Sequence, residues 1–293
     1  MKPKDRLDNL LIERALFSSR EAARTAIMDG AIIVNGTKIT KAGTSTATDA
    51  IIEIIKSYNL CPYVSRGGLK LEKALKYFGV EAKGRIAIDG GASTGGFSDC
   101  LLQNGAARVY AVDVGHGQLD WKLRQDDRVR VLERVNLRNL KAQDLYEHGD
   151  QKADLAVMDV SFISVTKTLP ALFELLTPSA FELVVLIKPQ FEAGRQKVGK
   201  GGVVRDLATH IEVLDSVISF IQSTDLKPRY VQIGLTFSPL KGPSGNIEYL
   251  LYLKGEETLT LGGENCGLKQ LPFDAKTFTE QIAREAFESL GAP

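Results

Sequence analysis

The chain has 293 residues, of which 44% are hydrophobic and 25% charged, and its formal net charge is +1. That length accommodates two domains of roughly 100–200 residues each, and the near-zero charge leaves any nucleic-acid partner to be argued from how charge is distributed. Its three cysteines (Cys61, Cys100, Cys266) and three histidines are scattered without a C-x-x-C pair, which excludes a disulfide framework and argues against a metal centre.

The first 17 residues, MKPKDRLDNLLIERALF, are charged throughout and contain no apolar signal-peptide core. The most apolar run, Leu183–Ile187, falls far short of the roughly 20 residues of a membrane helix. The expected compartment is the cytoplasm, with no membrane partner.

Residues 1–57 read as a small separate unit. Leu7, Leu10, Leu11 and Ala15 recur at helical spacing. Ser18 or Ser19 is set to cap a second helix, SREAARTAIMDG, in which Arg20 and Arg24 lie one turn apart beside apolar Ala23 and Ile27. Gly30 ends it. AIIVNGTKI reads as strand, turn and strand around Asn35-Gly36, and IIEII as a closing strand. Charge alone would assign the arginines to a solvated helix face. The order of the pieces, RLDNLL…SSREAARTAIMDGAIIVNG, resembles the small RNA-binding fold named after ribosomal protein S-four. That resemblance implies that Arg6, Arg20, Arg24 and Lys38 line a phosphate-binding face, which positions RNA without reading its sequence. Residues 58–65, broken by Pro62, read as a linker.

From 66 to 255 short apolar runs (RIAID, VYAVDV, VRVLE, LAVMDV, LVVLIK) alternate with helical stretches (GGFSDCLLQNG, the Thr166–Leu176 region, DLATHIEVLDSVISFIQS). Such alternation predicts an α/β domain with a parallel sheet covered on both faces. YVQIGLTF and IEYLLYL follow each other without a helix between them, which predicts an antiparallel last pair. Seven strands ending this way describe the Rossmann-like methyltransferase sheet. The tail, 256–293, carries a helix signal at FTEQIAREAFESL.

The turn after RIAID is DGGASTGGF: Asp89, Gly90, Gly91, Ala92, Ser93, Thr94, Gly95, Gly96 and Phe97. Ligands of open α/β sheets bind beyond the carboxyl ends of the strands, where glycines admit close approach. No Gly-Lys-Ser/Thr follows, so this is not a Walker A loop, and the spacing departs from G-x-G-x-x-G. Asp113 ends the next strand, where an acid accepts hydrogen bonds from ribose hydroxyls. The pair suits a nucleoside-type cofactor without pyrophosphate, best S-adenosylmethionine; as lone features, Asp89 is equally a turn former and Asp159 equally a strand-end cap.

Lys188 follows the apolar strand LVVLI and precedes Pro189, which keeps it extended at the sheet edge. Partial desolvation and a second nearby cation, Lys70, would favour its neutral form and make it a base for a hydroxyl proton. Asp159 would orient these lysines and Glu248 would orient a lysine or a ribose. Lys70 alone is as well explained as the exposed side of an amphipathic helix with Leu69, Leu71, Ala74 and Leu75 inside. VGKGGVVRD (198–206), with Lys197, Lys200 and Arg205, reads as a basic loop, either a mobile cover for the site mouth or plain surface.

SRGGLKLEKAL, DGGASTGGF, AVDVGHGQL, MDVSFIS, IKPQFE and GNIEYL together resemble the motifs of the TlyA family, which joins such an RNA-binding module to an FtsJ-like methyltransferase domain. The resemblance implies S-adenosylmethionine as cofactor, ribosomal RNA or ribosomal subunits as partner, and methylation of cytidine 2′-hydroxyls. It also implies that the family's Lys–Asp–Lys–Glu tetrad falls on Lys70, Asp159, Lys188 and Glu248, and that Lys197, Lys200 and Arg205 contact RNA. Two other classes stand beside this one: a non-catalytic RNA-binding ribosome factor, and a haemolysin, a label family members have carried.

Overall fold

The structure, a computed structural model, describes residues 3–17, 20–28, 30–55, 61–178, 180–222, 232–242, 244–256 and 275–293. The expected cap at Ser18 or Ser19, Cys266, and part of the expected linker lie outside them. The chain divides into two compact units, Met1–Arg66 and Gly67–Pro293.

The first unit contains β1 (Lys4–Arg6), α1 (Leu7–Glu13), α2 (Arg20–Met28), β2 (Ile32–Val34), β3 (Thr37–Ile39), β4 (Ser45–Ala47) and β5 (Ile52–Ile54). Leu7, Leu11, Ala23, Ala26, Ile27 and Ile32 form its core, because the helices recur apolar at three- and four-residue spacing. Asn35 and Gly36 both take positive φ (48° and 78°), the pattern of a two-residue hairpin turn, so β3 folds back on β2. β5 closes the other edge of β2, and β1 pairs with β4. Ala15 departs from the expected helix: α1 ends at Glu13, and Ala15 is exposed with φ 54°.

The second unit runs α3 (Gly67–Phe78), β6 (Ile86–Gly90), α4 (Gly96–Gln103), β7 (Arg108–Asp113), α5 (Trp121–Arg124), β8 (Val129–Glu133), α6 (Ala142–Leu145), β9 (Leu155–Met158), α7 (Leu169–Leu175), β10 (Ala180–Ile187), α8 (Pro189–Glu192), α9 (Leu207–Gln222), β11 (Gln232–Phe237), β12 (Tyr249–Glu256) and α10 (Ala275–Leu290). Seven strands form one sheet in the order β11-β12-β10-β9-β6-β7-β8. β6, β7, β8, β9 and β10 are parallel, and β12 runs antiparallel between β10 and β11. The chain leaves β6 toward β8, then returns to β9 on its other side. The crevice beyond β6 and β9 is therefore the topological switch point, where ligands of such sheets bind.

The sheet's apolar strands are buried on both faces. The tail helix α10 joins this core through Ile282, Ala283 and Ala286, and Phe287 meets His210 of α9 edge-on at 5.0 Å. His210 is itself buried between Tyr249 Oη (2.9 Å) and the Val204 carbonyl (3.0 Å). A carbonyl only accepts, so Nε2 carries the proton and the Tyr249 hydroxyl donates to Nδ1. Among the described residues no helix is long and apolar enough to cross a membrane.

Candidate active site

Strand register brings the tetrad together. Ile187 pairs with Tyr249 in the antiparallel β10–β12 ladder, so the next residues outward, Lys188 and Glu248, face each other at the sheet edge. Val185 pairs with Met158 in the parallel ladder, which sets Lys188 beside the chain that continues from β9 through Asp159 to Ser161. Lys188 Nζ lies 2.5 Å from Asp159 Oδ1 and donates to Ser161 Oγ at 2.8 Å. Pro189 opens α8, and Lys188 is held extended before it (φ −112°, ψ 103°).

Lys70 reaches the same edge from α3. Phe78 of that helix stacks on Tyr252 (5.0 Å between centroids), and Lys73 donates to the Phe237 carbonyl at 2.6 Å, so α3 is clamped across β11 and β12. Lys70 Nζ then meets Glu248 Oε2 at 2.5 Å. Lys70 and Lys188 are each only 8% exposed, so the exposed-helix explanation of Lys70 fails, and it is Leu69 that is half-buried instead. Asp159 and Glu248, expected to orient the lysines, divide them: Lys188 pairs with Asp159 and Lys70 with Glu248. Burial pushes the Glu248 carboxyl up from its ordinary value; Lys70 opposes this and Asp159 adds to it.

The glycine turn leans on this cluster. Gly90 pairs with Met158, and one residue further Gly91 (φ 86°) passes so close to Asp159 that a Cβ on it would lie 2.8 Å from the Asp159 carbonyl oxygen. Only glycine meets both demands. Asp113 fastens the turn: its Oδ2 accepts from Ser93 N–H at 2.8 Å and its Oδ1 from Gly115 N–H at 2.6 Å. Thr94 is half-buried, Gly95 caps α4, and Gly96 and Phe97 are buried in its first turn. Asp89 is fully buried, with Oδ2 accepting from Ser98 Oγ at 2.7 Å and Oδ1 without a partner among the described residues. Burial pushes its carboxyl up to about 7, against the Ser98 hydrogen bond.

The segment 198–206 is anchored at its base. Val203 and Val204 are buried; Asn246 Oδ1 accepts from Val204 N–H at 3.0 Å, and Asn246 Nδ2 donates to the Gly202 carbonyl at 2.9 Å. Lys200 and Arg205 are exposed, whereas Lys197 is ion-paired with Glu212 of α9. In the first unit Arg6 and Arg20 converge on Asp8, and Arg24 is exposed one turn along α2. The Lys38 side chain lies over Gly30, beyond the C-terminal end of α2, whereas Arg20 opens that helix.

Sequence reasoning missed four residues of this edge. Ser161 and Asn246 are ordinary polar types whose partners come from distant strands. Gly242 packs against Glu248: a Cβ there would lie 2.5 Å from Oε1, so the carboxylate would have to shift. Phe162 is 91% exposed with φ 66° and its ring 5.1 Å from that of Phe191. A bulky residue in that backbone region is strained by about 1–3 kcal/mol, a mark of functional loops. The motif MDVSFIS contained it, but nothing local signals exposure.

An FtsJ-like methyltransferase family model matches residues 63–255, and an S4 domain model matches residues 5–45. YqxC of Bacillus subtilis, provisionally named an rRNA methyltransferase, is 50% identical over 250 residues, 85% of each chain. The 16S/23S rRNA (cytidine-2′-O)-methyltransferase TlyA of Mycobacterium tuberculosis is 39% identical over 264 residues, 90% of this chain and 95% of that one. Hemolysin A of Brachyspira hyodysenteriae is 42% identical over 247 residues, 84% and 98% of the two chains. A solved structure from Streptococcus thermophilus, provisionally named a hemolysin, superposes with a TM-score of 0.71 at 40% identity, over 99% of this chain and 98% of that one. The chain belongs to the FtsJ-like methyltransferase family, in its TlyA group, with an S4 domain ahead of the methyltransferase domain.

Proposed function

We propose that this protein transfers a methyl group from S-adenosylmethionine to the 2′-hydroxyl of a cytidine ribose in ribosomal RNA. The observation that supports this most is the meeting of two lysine–carboxylate pairs, Lys70–Glu248 and Lys188–Asp159, beside the glycine turn at the switch point of the sheet. The Mycobacterium tuberculosis relative is named a 16S/23S rRNA (cytidine-2′-O)-methyltransferase. On this reading the partner is ribosomal RNA or a ribosomal subunit, and the compartment is the cytoplasm.

The residues present fit the cofactor. Asp89 Oδ1 is a buried acceptor without a partner among the described residues, Gly91 clears the floor of the turn, and three carboxylates (Asp89, Asp113, Asp159) suit a cationic ligand. Asp89 through Phe97 would surround it, with Asp113 accepting from its ribose. When bound, S-adenosylmethionine supplies an electrophilic methyl group on a sulfonium, which passes to the ribose oxygen as the carbon–sulfur bond breaks.

Once the Lys188 ammonium has passed a proton to Asp159 Oδ1, 2.5 Å away, the neutral Nζ takes the 2′-hydroxyl proton. Ser161 fixes the direction of the Lys188 side chain. Glu248 and Lys70 hold the substrate ribose from the other side, so that attack is in line, the main source of rate in such a reaction. Phe162 offers an open aromatic face on which the target base stacks. Lys200 and Arg205 extend a basic rim for the RNA backbone, to which Lys197 contributes once it releases Glu212.

The test is ribose mapping of unmodified 16S and 23S rRNA after incubation with the protein and S-adenosylmethionine. The expected product is a 2′-O-methylcytidine. Methyl groups found only on bases, or none at all despite cofactor binding, contradict the assignment. The hemolysin names of relatives suggest a leakage assay on lipid vesicles as the parallel measurement; no leakage is expected.

A further inference from the structure

The first unit contains a fully buried carboxylate, Asp8, in the opening turn of α1. A buried charge is costly unless its lone pairs are met. Both oxygens of Asp8 are met by arginine: Arg6 Nε donates to Oδ1 at 2.9 Å, Arg6 Nη2 to Oδ2 at 2.9 Å, and Arg20 Nε to the same Oδ2 at 3.2 Å. The Arg6 hydrogen bonds hold the Asp8 carboxyl below its ordinary value, with burial opposing and Arg20 assisting. Two like-charged guanidiniums are thus brought together on one anion.

This is not how a core ion pair is built. The side chains of Arg6 and Arg20 remain 49% and 55% exposed, while the carboxylate between them is sealed. An arginine has five N–H donors; among the described residues these contacts use two of Arg6 and one of Arg20, which leaves the other donors for an anion. Gly43 makes room for the Arg6 guanidinium itself. A Cβ on Gly43 would lie 3.0 Å from Arg6 Nη1, and the turn bearing Gly43 is tied to α1 by Leu7 N–H to the Thr44 carbonyl (2.9 Å) and Asp8 N–H to the Ala42 carbonyl (3.2 Å).

We propose that Asp8 is a positioning residue for RNA binding, which sets Arg6 and Arg20 as one two-guanidinium grip for a backbone phosphate. It rests on the reading that this unit contacts RNA through those arginines. A flexible arginine loses side-chain freedom when it grips a phosphate; a guanidinium already fixed at its Nε edge loses less. A phosphate between the two also relieves their mutual repulsion.

The sign of one substitution separates positioning from charge. Asp8→Asn removes a negative charge, so long-range attraction alone makes RNA binding tighter. Positioning makes it weaker. Full-length wild type, Asp8→Asn, and the double variant Arg6→Ala/Arg20→Ala are compared for binding to a 23S rRNA transcript across about 50–200 mM salt. We expect Asp8→Asn to bind about five- to tenfold more weakly, with the slope of log affinity against log salt shallower by about one phosphate contact. Partial unfolding lowers the active fraction without changing that slope. Amide exchange at Leu10 and Leu11 checks that α1 persists; if it does not, Asp8→Glu, which keeps the charge and moves it by one methylene, replaces the variant with the same expectation. If the arginine double variant is weak while Asp8→Asn binds as well as or better than wild type, the proposal is overturned and the RNA-binding reading stands. If the double variant binds like wild type, that reading fails and takes the proposal with it.

Discussion

The ammonium of Lys70 and the carboxylate of Glu248, 178 residues apart in the chain, meet at 2.5 Å in a buried pair. The contact ties α3 to the entry of β12 and closes one side of the cluster whose other side is Lys188 with Asp159. Removing one partner strands the other charge in a buried setting, which costs about 3–5 kcal/mol. Denaturant unfolding should therefore show Lys70→Met and Glu248→Gln each strongly destabilised, and the double variant much less so than their sum. Additive losses would mean the two groups do not interact.

Gly91 and Asp159 predict a second result. Gly91→Ala puts a Cβ 2.8 Å from a backbone oxygen at φ 86°, so it should lose roughly 1–3 kcal/mol of stability and most of its S-adenosylmethionine affinity. Gly84→Ala, also at positive φ (75°) but facing open space, should lose stability alone. Calorimetry that finds both variants binding cofactor equally well would detach the turn from the cofactor.

Asp89 carries a pH signature. With its carboxyl pushed up to about 7 by burial, the folded chain keeps a proton that the unfolded chain has released at lower pH. Its contribution to stability is therefore present below the ordinary carboxylate range and is lost as pH rises toward about 7. Cofactor affinity runs the other way, since only the ionised carboxylate attracts a cation. Titration should find tighter S-adenosylmethionine binding at about pH 8 than at about pH 6, and Asp89→Asn should flatten the difference. An undiminished pH effect in that variant would assign it elsewhere.

For Phe162 the expectation divides stability from substrate binding. Phe162→Gly relieves a strained φ of 66° and removes little buried area, so the fold should be no less stable. Loss of a stacked base is worth about 1–3 kcal/mol, seen as a higher KM for RNA with cofactor binding unchanged. An unchanged KM would leave the exposed ring without a role.

Much of this was legible in the sequence because it depends on local rules. The strands followed from apolar runs, and the antiparallel last pair from two such runs without a helix between them. Lys188 was fixed at a strand end by Pro189. The pairing of each lysine with its own carboxylate was not legible, because it comes from the register of β10 against β12 and from α3 lying across them. The anchoring of 198–206 depends on Asn246, forty residues on, and an isolated Asn gives no sign of its partners. The place of Lys38 was not legible either: the β2–β3 hairpin carries its side chain over Gly30, beyond the C-terminal end of α2.

The central claim is that the pair Lys188–Asp159 removes the ribose proton. The most direct measurement is the single-turnover rate of methyl transfer to unmodified ribosomal RNA by wild type and Lys188→Ala, with S-adenosylmethionine binding measured alongside. The account predicts a rate lower by about 10²–10⁴ with cofactor affinity retained, the range a positioned base contributes. Transfer at the wild-type rate by Lys188→Ala would contradict it.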